Sequence, residues 1–160
     1  MFYTMNRAHG IGLAAPQIGL DIALTVIDIS KIEGQEKVKP MTLINPKLVD
    51  SHGRITIEEG CLSIPYLRAE VTRPEKVHVE YQDLNLDKQT IELDGMLARV
   101  AQHEIDHLNG VLFIDHLDAD EKKLLKKELS HIKRGEVETD YLLAGIPPKV
   151  SHPPAERAGK

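Results

Sequence analysis

The chain has 160 residues, a net charge of −5, no tryptophan and one cysteine, Cys61. That length suits one domain with a buried core, the lone thiol excludes an intrachain disulfide, and the acidic balance argues against DNA or another general nucleic-acid partner. No apolar run approaches the ~18–20 residues of a membrane span and residues 1–10 carry no secretory pattern, so the expected setting is reducing, cytoplasmic and bacterial, away from membranes, with an organelle as the other setting the sequence admits.

In chain order, residues 2–8 read as a helix that His9-Gly10 would end. Residues 10–19 hold three Gly and a Pro, which makes them a loop of little side-chain bulk. Residues 22–29 are a β-branched apolar run, expected to form a buried strand, and 30–39 a polar loop. Residues 41–49 read as extended but interrupted at Asn45-Pro46. Ile55-Thr56-Ile57 is a short strand leading into Glu58-Glu59-Gly60-Cys61-Leu62-Ser63-Ile64-Pro65. Alternation over 77–82, a turn at 83–87 and the run 90–93 predict a hairpin. Asp94 is placed to cap a helix over 95–108 with Asn109-Gly110 as its stop, and Asp118 or Asp120 to start a last helix. That helix carries an apolar stripe of Leu124, Leu125, Leu129 and Ile132, and Gly135 ends it. The predicted class is α+β: short antiparallel β-sheets packed around a central helix, plus an amphipathic C-terminal helix. A single domain is expected over 1–135, with a Pro-rich, disordered tail over 136–160.

The central helix carries the chemistry. Residues 102–107 read Gln-His-Glu-Ile-Asp-His. His103 and His107 are one turn apart on one helix face, and Glu104 lies within ~60° of His107 around the axis. Two imidazoles so spaced can hold one metal ion, and the adjacent carboxylate can take a proton from water activated there. The bland alternative is two satisfied histidines in a His-rich chain. A third ligand is needed. The pattern with another His six residues on fails, because that position is Phe113, and His116 lies past the helix stop. Cys61 is the remaining candidate. A thiolate with two imidazoles leaves one position open, as catalytic sites do.

Three segments together resemble peptide deformylase: Gly10-Ile11-Gly12-Leu13-Ala14-Ala15-Pro16-Gln17, Glu59-Gly60-Cys61-Leu62-Ser63 and Gln102-His103-Glu104-Ile105-Asp106-His107. The resemblance spans about residues 2–117. It implies Cys61, His103 and His107 as metal ligands, Glu104 as general acid/base, and Gln17 with the Leu62 N–H facing the formyl oxygen. It implies that Gly12 and Gly60 line a groove that takes the peptide as an added strand. The implied substrates are N-formylmethionyl peptides. The implied ion is Fe²⁺, one per chain, with Zn²⁺, Ni²⁺ or Co²⁺ as substitutes. By position, Ile57, Met96, Val100 and the His103 ring are candidates for the methionine pocket, with core packing as their plainer role. Arg68 is placed to meet a downstream peptide carbonyl or carboxylate. The last helix is rich in Lys122, Lys123, Lys126, Lys127, Lys133 and Arg134, which suggests transient ribosome association beside the plainer reading of a solvated face. Family members carry a segment ahead of the first helix, so the N-terminus reads as truncated. Two other readings stand beside this one: an inactive peptide-binding relative, or a different metallopeptidase with the same helix.

Overall fold

The structure is a computed structural model and describes residues 1–143. Helix α1 (Phe2–Arg7) leads into strand β1 (Gly12–Ala14) and a 3-10 turn (Ala15–Ile18). Strands β2 (Leu24–Ile27), β3 (Met41–His52), β4 (Ile55–Cys61), β5 (Ile64–Arg73), β6 (Lys76–Gln82) and β7 (Lys88–Asp94) follow. Helix α2 (Gly95–Leu108), a second 3-10 turn (Phe113–His116) and helix α3 (Ala119–Lys133) complete the order. The class is α+β, with antiparallel sheets around the helix that bears both histidines, as the sequence predicts.

The strands form a five-stranded sheet in the order β1-β2-β3-β6-β7 and a separate hairpin of β4 and β5. Helix α2 lies between them. Ala98, Val100, Ala101 and Ile105 pack on Ile27, Leu43, Val77, Val79 and Leu93 of the large sheet. Each fully buried Val, Leu or Ile stabilises the fold by roughly 1.5–3 kcal/mol. The hairpin has its own core, in which Ile64, Leu67 and Val71 meet Phe113 and Leu117, with Leu125, Leu129 and Ile132 of α3 laid over them.

Several elements differ from expectation. The Gly-rich loop contains β1, short but paired with β2 through Gly12↔Ile27. The buried strand begins at Leu24, since Ile22 is exposed. Strand β3 continues through Asn45-Pro46 because Asn45 takes a φ of 50° and the register slips between Ile44 and Lys47. An unpaired bulge residue gives proline a place within a sheet. Strand β5 has no counterpart in the sequence reading, because Pro65 and the charges at Arg68, Glu70 and Arg73 mask its alternation. Asp94 stands at the N-cap of α2 without a side-chain capping bond. Asp118, by contrast, caps α3 by accepting from the N–H groups of Asp120 and Glu121. Leu124 is not part of the α3 stripe; it points to solvent, leaving Leu125, Leu129 and Ile132 at helical spacing on the core. Residues 136–143 of the expected tail lie beside the body of the fold, where the Tyr141 hydroxyl donates to the Leu62 carbonyl at 3.0 Å. The remainder of that expected tail, 144–160, lies outside the described residues.

Candidate active site

A strand alternates its faces, so Ile57, Glu59 and Cys61 of β4 look to one side, toward α2. On α2, His103 and His107 look back. The ligand atoms of Cys61, His103 and His107 all lie within 4.8 Å of one another. His107 Nε2 is 3.2 Å from Cys61 Sγ, and the two imidazole rings stand edge to face with centroids 4.9 Å apart. Burial opposes ionisation of the thiol, yet hydrogen bonds from both histidines outweigh it and hold Cys61 down at about 6. A depressed thiol beside two imidazoles is the donor set of a metal site, so these residues fit a divalent ion.

Glu59 completes the arrangement. Its Oε2 lies 2.9 Å from His103 Nδ1, which leaves the other ring nitrogen to act as ligand. The same carboxylate accepts from Arg73 Nε at 2.6 Å and from Arg99 Nη1 at 2.6 Å, all inside the protein. Burial pushes the Glu59 carboxyl up, but the bonds from His103, Arg73 and Arg99 prevail and hold it at about 2. Arg73 reaches on to Asp106, whose Oδ2 also meets His116 Nε2 at 2.7 Å. His116 therefore serves this network and not the metal cluster. The sequence reading gave Glu59 no role of its own and missed its bond to His103. Its two-residue spacing from Cys61 was the available signal, since both must share a face of an extended strand.

Glu104 sits on the open side of the cluster, almost fully buried, and its Oε2 has no hydrogen-bond partner. Burial pushes its carboxyl up to about 7. Gly12 lies against it: a Cβ there would collide with Glu104 Oε1 and come within 2.7 Å of Val100 Cγ1. Gln17 is oriented by its own turn. Its Oε1 accepts from the Ala14 N–H at 2.8 Å, which aims Nε2 at Ser63 Oγ, 3.1 Å away, and toward Cys61 Sγ at 3.8 Å.

A cleft of about 510 Å³ opens over these groups. It brings together Gly12, Gln17, Ile57, Gly60, Cys61, Leu62, Arg68, Met96, Val100, His103 and Glu104, every predicted site residue except His107, which lies behind Cys61. Arg68 is exposed at the rim and pairs with Glu58 at 3.3 Å. The cleft also has two walls that sequence reading did not propose, Tyr66 and Tyr141. Phe113, at the position where a third histidine would belong in another class of metallopeptidase, is buried and stacks on the His103 ring with centroids 6.2 Å apart.

The family profile described as polypeptide deformylase matches residues 1–123. The chain belongs to the polypeptide deformylase family. It is 49% identical to a peptide deformylase of Chlorobium phaeovibrioides, over 90% of this chain and 76% of the relative. It is 47% identical to one of Chlorobaculum tepidum, over 90% of this chain and 77% of that protein. Among crystal structures, a peptide deformylase from Legionella pneumophila superposes with a TM-score of 0.74 at 43% identity, covering 85% of this chain and 78% of its own. An Arabidopsis thaliana member in complex with an inhibitor gives 0.78 at 36% identity, covering 85% and 75%. Membership and the Cys/His/His cluster together make the chain a metal-dependent hydrolase, and they favour deformylase over the peptide-binding and metallopeptidase readings. Among the described residues no helix is long and apolar enough to cross a membrane.

Proposed function

We propose that this cleft hydrolyses the formyl group from N-formylmethionyl peptides, with Glu104 as the general acid/base. The observation that carries the reading is the unpartnered Oε2 of Glu104, buried beside the Cys61, His103 and His107 cluster. A binding module would have no need of a buried carboxylate whose desolvation costs several kcal/mol.

Cys61, His103 and His107 would hold a divalent ion, and the chemistry it would supply there is Lewis acidity, lowering the pKa of water toward ~7. Glu104 accepts the proton of the attacking water at Oε2 and returns it to the departing amine. The charge that develops on the formyl oxygen is met by Gln17 Nε2, already turned toward the site by its bond to Ala14, and by the Leu62 N–H. One such donor is worth roughly 3–4 kcal/mol of barrier. Glu59 holds the His103 ring in place.

Substrate selection follows from the walls. Strand β1 is an edge of the large sheet and β4 belongs to the separate hairpin. Gly12 and Gly60 stand on those strands and let a peptide backbone approach as an added strand. Ile57, Met96, Val100 and the His103 ring form the apolar pocket for the methionine side chain, and Arg68 meets the peptide further along. A formyl carbon bears only hydrogen, so a tight fit beside Glu104 would accept it and exclude an acetyl methyl. Fe²⁺ is the working ion at this site, with Zn²⁺, Ni²⁺ or Co²⁺ able to occupy the same thiolate and imidazole donors. Oxidation of the iron or the thiolate would inactivate it.

The test is formate release from formyl-Met-Ala-Ser by protein purified anaerobically with Fe²⁺. Wild type is expected to turn over. Glu104→Ala is expected to lose activity by about 10²–10⁴-fold while still binding one equivalent of metal. Retained activity in the mutant, or cleavage of internal bonds in unformylated peptides, would sink the assignment.

A further inference from the structure

The large sheet carries a second cluster of metal-ligating side chains, on β3, β6 and β7. Asp50 and His52 are two residues apart on β3 and share a face. His78 on β6 pairs directly with Asp50, and Glu92 on β7 pairs directly with His78. The ligand atoms of Asp50, His52 and His78 lie within 4.8 Å of one another. Asp50 Oδ2 is 3.0 Å from His52 Nε2, and Glu92 Oε2 is 3.1 Å from His78 Nε2. The two rings stand edge to face, 6.1 Å between centroids. Lys76 stands opposite both His52 and Asp94.

The cluster is assembled by a bulge. Leu48 pairs with Val79 and Asp50 with His78, so Val49 has no opposite number. One extra residue reverses the side-chain phase of a strand. Leu48 therefore falls on the side of the core residue Val79, while Asp50 and His52 fall on the side of His78. Without that bulge the two histidines would stand on opposite faces.

The chemistry is that of a cation site. One His78 nitrogen is held by a carboxylate. The other, Nδ1, is buried without a hydrogen-bond partner. A carboxylate that orients an imidazole from behind is a recurring support for a metal-ligating histidine. We propose that Asp50, His52 and His78, backed by Glu92, form a second metal site for Zn²⁺ or another late first-row divalent ion. Two imidazoles and a carboxylate suit Zn²⁺, Ni²⁺ or Cu²⁺ better than Mg²⁺ or Ca²⁺. Bound there, the ion clamps β3 to β6 just before the chain turns into β4, the strand that carries Glu59 and Cys61.

The test uses protein loaded at the Cys61 site, dialysed against rising Zn²⁺, with bound metals counted by mass spectrometry. A second equivalent per chain is expected, together with a rise in Tm that saturates as it binds. His52→Ala and His78→Gln are expected to weaken that equivalent by about tenfold or more, with unchanged circular dichroism. Cys61→Ser is expected to remove the first equivalent and keep the second, so failure at one site is distinguishable from failure at the other. Only one equivalent in the wild type, or a second that persists unweakened in both histidine variants, overturns the proposal.

Discussion

Gly12 and Glu104 share a space that admits no Cβ. Gly12→Ala would push either β1 or the Glu104 carboxylate aside. Overpacking of this kind costs about 1–3 kcal/mol, and a displacement near 1 Å at a reacting group costs on the order of 10²-fold in rate. The expected outcome is a modest fall in Tm with a fall in kcat of about 10–100-fold, read by melting and by formate release on the same preparation. Glu59 makes a different case. Glu59→Gln removes the charge that neutralises two buried guanidinium groups. Arg73 keeps Asp106, whereas Arg99 keeps only the carbonyls of Val71 and Ile55. Stranding a buried charge costs about 3–5 kcal/mol. Urea unfolding should show a loss of that order, and metal affinity should fall about 10–100-fold because His103 loses its support.

At the level of elements, the site depends on how a hairpin and a helix face each other. Cys61 pairs with Ile64, so Leu62 and Ser63 make the turn between β4 and β5. The tight turn places the ligand at the end of a strand, beside the backbone that would meet the substrate. Tyr66 takes a φ of 63° where the register slips between Gly60 and Cys61, and it lines the cleft. Helix ends separate position from bonding. Asp94 and Asp118 both occupy N-caps, yet of the two only Asp118 accepts backbone N–H bonds, and its own N–H donates to Glu121 Oε2. Asp118→Ala is expected to cost about 1 kcal/mol, and Asp94→Ala less than about 0.5. Equal losses for the two in chemical denaturation would contradict the capping assignment.

Across the whole molecule, the candidate metal cluster links two cores: Cys61 belongs to the hairpin core, and His103 and His107 stand on α2, which packs on the large sheet. Helix α3 covers the hairpin core with Leu125, Leu129 and Ile132 and leaves its lysines exposed. Arg134 is engaged by Glu136, with Nε to Oε1 at 2.7 Å. The free basic face therefore consists of Lys123, Lys126, Lys127 and Lys133, while Lys122 donates to the Asp115 carbonyl. We propose this face as the contact for transient ribosome association. Reversal of Lys123, Lys126 and Lys127 to Glu should abolish salt-sensitive co-sedimentation with ribosomes and leave formate release from a short peptide intact. Co-sedimentation that is absent in the wild type, or insensitive to salt, would refute it.

Patterns within a few residues determined much of this protein from sequence alone. The i, i+4 histidines with Glu104 between them placed α2 and its chemistry, the alternation over 77–82 with the run 90–93 placed the β6–β7 hairpin, and Asn109-Gly110 placed the helix stop. Local geometry writes such features into a chain, because helix and strand periods are fixed by the backbone. Other features were decided only by tertiary structure. Glu59 reaches Arg99 across 40 positions and His103 across 44. Its role depends on which elements pack around it, and no period in the sequence records that. The same holds for β5, whose charged residues mask its alternation until Arg73 is seen neutralised inside the fold, and for Tyr141, which meets Leu62 across 79 positions. Burial of a charge is settled by partners brought from elsewhere in the chain, so the ligand types were legible in advance, while the network that holds them in place was not.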